Sequence, residues 1–226
     1  VKSNGFTYLK MVQTALIFTP ASPQAYLTTN GLSVAGGSGT GAVTYAVIGG
    51  PGAIAGGTNL VITSGTGIVT VIATKDGDSQ YNGTATTSLV AAARANQTIA
   101  FTAIPDQITT ATVHLAATAA SGLNVSFAVG SGPGSISAGT NLTFTSTGIV
   151  AIVASQGGDA DWNAAPDVTN TFTVTKATAG LTLNDLNQTY DGTQKMVTAT
   201  TVPGGLTVDI TYSGAAAAPS NAGSYA

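Results

Sequence analysis

Apolar residues alternate with small polar ones along most of this chain. Val43, Tyr45 and Val47 are interleaved with Thr44 and Ala46, and Val125, Phe127 and Val129 repeat the pattern. Phe172 and Val174 point one way while Thr171, Thr173 and Thr175 point the other. Val208, Ile210 and Tyr212 alternate in the same way with Thr207, Asp209 and Thr211. A period of two marks strands with one buried face. Between these groups stand Gly50-Pro51-Gly52 and Gly132-Pro133-Gly134. Proline presets its own φ and glycine supplies positive φ, so both strings read as turns. Good helix formers are scarce: there is no Glu, and only five Lys and two Met. The pattern predicts an all-β chain of short strands.

The second pattern is longer. Val43 to Leu60 reads VTYAVIGGPGAIAGGTNL, and Val125 to Leu142 reads VSFAVGSGPGSISAGTNL. Eleven of these 18 positions are identical at an offset of 82. After a one-residue deletion the match continues at 81, where Gly67-Ile68-Val69 answers Gly148-Ile149-Val150. Asp78-Ser79-Gln80-Tyr81-Asn82 likewise answers Asp159-Ala160-Asp161-Trp162-Asn163, and upstream Gln13-Thr14 answers Gln97-Thr98. These are tandem copies of one unit, and a fixed period is the mark of a repeat architecture. Several short strands per unit without helices predict two antiparallel β-sandwiches, residues 13–94 and 95–176. Tyr81 and Trp162 each follow an aspartate loop. They are expected to anchor a corner against the core, with ligand stacking as the alternative.

Residues 177–226 carry other motifs: Gln188-Thr189-Tyr190-Asp191-Gly192-Thr193, then TATTVPGGLTVDITYSG, then Asn221-Ala222-Gly223-Ser224-Tyr225. This segment resembles the MBG/YDG-type repeat domains of large bacterial surface proteins. The first two units resemble the bacterial Ig-like repeats that accompany them. The resemblance implies tandem, elongated Ig-like sandwiches, the third an incomplete MBG-like one, in an exported adhesin or surface-fibre protein at the cell surface. It brings no catalytic residues and no cofactor.

Basic residues recur at the unit boundaries: Lys10, Arg94 and Lys176. Phe6-Thr7-Tyr8-Leu9-Lys10 has the shape of Phe172-Thr173-Val174-Thr175-Lys176. Residues 1–12 therefore read as the terminal strand of a preceding or neighbouring sandwich. Two expectations follow. The chain is an excerpt of a long tandem array, or its first strand, carrying Phe6, Tyr8 and Lys10, completes the third domain of a neighbouring copy. Main-chain hydrogen bonds would supply affinity in that case, and the head-to-tail contact would build a filament. Short linkers at Arg94-Ala95-Asn96 and Lys176-Ala177 suggest a semi-rigid array.

Composition narrows the chemistry. Charged residues make up 7% of the 226 residues and the net charge is −3, which excludes a basic nucleic-acid footprint. Cysteine is absent and His114 is the sole histidine, which removes thiolate chemistry and most metal and acid–base constellations. No apolar run reaches the roughly 18 residues of a membrane-spanning helix. Asp76, Asp78, Asp159 and Asp161 fall in equivalent loops and are the candidate calcium ligands. Calcium takes six to eight oxygens, however, so Asx turns are the competing reading. His114 lies in an alternating stretch and reads as an ordinary strand residue. Asn82, Asn96, Asn124, Asn141 and Asn187 each open an N-x-S/T sequon, which abundant threonine produces by chance.

The expected role is a non-enzymatic structural repeat of a bacterial surface fibre or adhesin stalk. Its partners would be neighbouring copies or adjacent repeats, with a host or surface glycan as a further possibility. The alternative is a non-catalytic carbohydrate-binding or spacer module of a secreted enzyme, which would need an exposed aromatic platform.

Overall fold

The computed structural model describes residues 8–225. Among them the ordered elements are strands. In the first unit these are β1 (Leu16–Ile17), β2 (Gln24–Ala25), β3 (Thr29–Gly31), β4 (Ala35–Gly36), β5 (Val43–Gly49), β6 (Gly52–Ala55), β7 (Asn59–Ile62), β8 (Ile68–Lys75) and β9 (Thr84–Ala93). The second unit repeats them as β10 (Ile99–Phe101), β11 (Gln107–Ile108), β12 (Val113–His114), β13 (Ala117–Ala119), β14 (Ser126–Ser131), β15 (Gly134–Ser137), β16 (Asn141–Phe144), β17 (Gly148–Ser155) and β18 (Val168–Thr175).

Each unit is a two-sheet, Ig-like sandwich. A four-stranded sheet, β2-β9-β8-β5, faces a three-stranded one, β3-β7-β6. The second unit matches it with β11-β18-β17-β14 and β12-β16-β15. A two-stranded pair, β1-β4 or β10-β13, flanks each. Alternation in sequence becomes alternation in burial. Val69, Val71 and Ala73 on β8 are fully buried, as are Val150, Ile152 and Ala154 on β17. The sheets are antiparallel except at one edge, where β2 runs parallel to β9 and β11 parallel to β18. Two-residue strands carry no periodicity, so this pairing has no signature in the sequence.

The two cores are the same design filled differently. The first packs Phe18, Leu32, Leu60, Ile62, Val69, Val71 and Val90, with Tyr45 against it. The second sets Phe172 where the first has Val90, and Phe144 where it has Ile62; these rings meet edge to face at 5.9 Å. The second core keeps an aromatic pair, Phe101 with Phe127, where the first has Phe18 with Tyr45, and adds a further one.

In residues 177–225 the strands are β19 (Gly180–Asn184) and β20 (Thr198–Val202), paired antiparallel from Gly180↔Val202 to Asn184↔Thr198. The alternating Val208–Tyr212 segment departs from expectation: among the described residues it joins no sheet. Tyr212 makes only an isolated bridge to Ala215, and its phenolic oxygen accepts from the Val197 N–H. Leu181, Leu183, Met196, Val202 and Leu206 are exposed.

Candidate functional site

The aspartate loops join β8 to β9 and β17 to β18. In the first, Asp78 Oδ1 accepts from the N–H groups of Gln80 (2.8 Å) and Tyr81 (2.9 Å), while Oδ2 accepts from Thr40 N–H at 2.7 Å. In the second, Asp159 Oδ1 accepts from the N–H groups of Asp161 and Trp162, both at 2.8 Å. These are Asx turns, in which a short carboxylate satisfies the backbone of the tight bend. Asp191 does the same for Thr193 N–H (2.9 Å) and also pairs with Lys195 at 2.5 Å.

A buried glutamine ties each loop to the start of its unit. Gln13 Nε2 donates to the carbonyls of Asp76 (3.0 Å) and Asn82 (2.8 Å). Gln97 Nε2 donates to Asn163 O at 2.7 Å and to Gln156 Oε1, and Ser121 Oγ donates to Gln97 Oε1. The chain entering each unit also bonds the loop backbone directly. Met11 bridges Tyr81 and Ala95 bridges Trp162, both in parallel register.

Here the copies diverge, because the second loop touches the first sandwich. Asp161 Oδ1 accepts from Ser64 Oγ at 2.8 Å and from Gly65 N–H at 2.7 Å. The Trp162 ring stands edge-on to Tyr26, centroids 5.7 Å apart at 88°. Tyr26 is held beside the chain exit by its N–H bond to Ala93 O at 2.8 Å. Gly65 admits the loop: a Cβ there would lie 2.7 Å from both Ala160 O and Asp161 Cα. These contacts form a joint between the two sandwiches.

The Trp162 ring meets Tyr26 of the neighbouring sandwich across the joint. Tyr81 does stay within its own unit, over Gly39, where a Cβ would stand 3.0 Å from its ring. The carboxylates of Asp78, Asp159 and Asp161 are all engaged by N–H or O–H donors, and Asp76 contributes backbone groups to the loop. Among the described residues no three His, Cys, Asp or Glu side chains gather where a metal ion could be held. His114 Nδ1 lies 3.2 Å from Asn141 Oδ1 on the neighbouring strand. Of the proposed assembly strand, Tyr8 and Lys10 are exposed and Phe6 lies outside the described residues.

Tyr26, Ser64 and Gly65 were not legible as site residues. One signal was available: Gly65 is the extra residue in the one-residue offset change between the copies.

The hydrogen bonds set the acid response. The Thr40 N–H, followed by those of Gln80 and Tyr81, lowers the Asp78 carboxyl from the usual 3.8 to about 2. Gly65 N–H, then the Ser64 hydroxyl, lowers that of Asp161. A depressed folded-state pKa contributes stability that is present above the unfolded value and lost as pH falls through the folded one. Asp78 should therefore stabilise its loop fully above about pH 4, and this contribution should be gone near pH 2. Thermal melting of the Asp78→Asn variant against the unmodified chain should show a difference that shrinks across that window; a constant difference would refute it.

Residues 179–226 match the family model of the MBG domain. Among solved structures, the titin domains Z1Z2 in complex with telethonin are similar at 13% identity and TM-score 0.37, covering 74% of this chain and 98% of that one. Extracellular domains 3–5 of Drosophila OTK follow at 13% identity and TM-score 0.36, covering 73% and 62%. Drosophila N-cadherin EC1-4 is similar at 10% identity and TM-score 0.29, covering 77% and 56%. No curated protein matches the chain.

Proposed function

We propose that this chain, an Ig-like repeat protein ending in an MBG domain, is a non-catalytic structural segment of an extracellular bacterial surface fibre or adhesin stalk. The joint carries the reading. A charge-assisted pair of hydrogen bonds and an edge-on aromatic contact fix one sandwich on the next, and their chemistry is positional. Trp162, the platform a carbohydrate-binding module would use, is engaged by Tyr26.

Polymerisation by strand donation extends the proposal. In it, residues 1–10 of one copy add to the third domain of the next. Three features support it. Among the described residues β19 and β20 pair only with each other, and an unpaired strand edge is a template for another chain. Val208–Tyr212 keeps a strand pattern without a ladder partner. Met11 also meets Tyr81 in the same parallel register in which Ala95, just after β9, meets Trp162. Electron microscopy of the intact chain and of a variant lacking Val1–Lys10 tests this. Filaments are expected from the first and single particles from the second; filaments from both would refute donation.

A further inference from the structure

The pole of sandwich 1 that receives sandwich 2 is a shaped surface. Ser64 and Gly65 present two donors to one carboxylate oxygen, and Tyr26 presents its ring to a second ring. Two hydrogen bonds to one atom restrain its position, and the ring contact, offset from them, restrains rotation about it. The inserted Gly65 lets the two backbones approach within a distance that any side chain would prevent.

The matching pole of sandwich 2 is built from other residues. Thr109 occupies the place of Tyr26: its N–H bonds Thr175 O at 2.9 Å, as that of Tyr26 bonds Ala93 O. The β16–β17 turn reads Ser146-Thr147-Gly148 where the first copy reads Ser64-Gly65-Thr66-Gly67, so the glycine is deleted. The ring and the close-approach glycine are both missing from this pole.

We propose that Tyr26, Ser64 and Gly65 form a selective docking socket whose partner is an aspartate–aromatic loop of the Asp161-Trp162 type on a following sandwich. The same repeat without the socket gives a compliant joint. The chain therefore has a stiff junction between its sandwiches and a hinge before its MBG domain, since domains joined without a large or specific interface move relative to one another by default. The proposal holds whether or not copies polymerise.

The absence of cysteine makes the test direct, because paired cysteines introduce spin labels only where chosen. Thr87→Cys with Thr169→Cys spans the first junction, and Thr169→Cys with Thr182→Cys the second. Thr182→Cys with Gly204→Cys measures the width due to the third domain alone. Electron–electron double resonance on labelled chain, diluted in unlabelled chain, reads the distance distributions. The first pair is expected to be at least twofold narrower than the second, and the within-domain pair close to the first. Gly65→Ala and Asp161→Ala should each broaden the first pair to the width of the second, while Asp161→Asn, which keeps an acceptor oxygen, should leave it narrow. Equal widths at the two junctions of the otherwise unmodified chain would overturn the proposal. So would a first pair that stays narrow in both Gly65→Ala and Asp161→Ala.

Discussion

Leu142→Ala should lower the stability of sandwich 2 by about 2–5 kcal/mol and leave the unfolding of sandwich 1 nearly unchanged. Leu142 is fully buried on β16, the middle strand of its three-stranded sheet. It packs among Leu115, Val150, Ile152 and Phe172, and its backbone registers with Val113 on one side and Ile136 on the other. Strands held on both sides cannot close in on the space left by three lost carbons. The cost therefore includes the cavity as well as the lost transfer energy. For a domain of this size, each kcal/mol corresponds to roughly 4–8 °C in melting temperature. Trp162, the sole tryptophan, packs on Tyr26 of sandwich 1 and so reports on both units; denaturation of sandwich 2 is therefore followed by the NMR amide signals of its own core strand β17. The midpoint should fall with little change in slope. Leu60→Ala, the equivalent change in the first core, should leave that transition in place. A Leu142→Ala midpoint shift of less than about 1 kcal/mol would mean that the core relaxes around the gap.

Gly132→Ala should be costly for a different reason, by about 2–4 kcal/mol, the sum of positive-φ strain and a backbone collision. Gly132 has φ +88° and follows the β-bulge between Val129 and Ser131. A Cβ there would run into the Ile149 carbonyl and lie 2.9 Å from Val150 Cα on the adjacent strand. Those are backbone atoms of a paired ladder, so no flexible side chain can move aside. The turn is pinned from the other sheet as well, because Thr145 N–H donates to Pro133 O at 2.9 Å. Gly50 repeats the arrangement in the first sandwich, with φ +83° against Ile68 and Val69. Gly139→Ala is the control: φ is +76°, but a Cβ there meets nothing within 4 Å. It should show the conformational strain alone, about 1–2 kcal/mol. Equal melting shifts for Gly132→Ala and Gly139→Ala would rule out the collision.

Much of the fold was legible because it follows from local rules. The alternation through Val43–Val47 and Phe172–Val174 gave strands and their buried faces, and the glycine–proline strings gave turns. The 82-residue offset made each copy a check on the other. Asp78 and Asp159 make the Asx turns expected of their loops, since that chemistry spans only two or three residues, whereas the Asp161 carboxylate turns to Ser64 and Gly65. The same reasoning overreached at Val208–Tyr212, where the pattern for a strand is present but a ladder partner is not. Alternation reports which way side chains point; it does not supply a neighbour to bond with.

The joint lay beyond such rules. Ser64 and Gly65 meet Asp161 across 97 and 96 positions, and Tyr26 meets Trp162 from the turn after β2 of the other unit. Contacts between separately folded units leave no periodicity, and the participating residues look like ordinary turn and strand-end residues. The sequence by itself determined the β class, the tandem units and the turn positions, because these arise from steric and hydrophobic preferences acting over a few residues. Only the tertiary structure decided which pole meets which loop, because that depends on two finished surfaces being complementary in shape and hydrogen bonding.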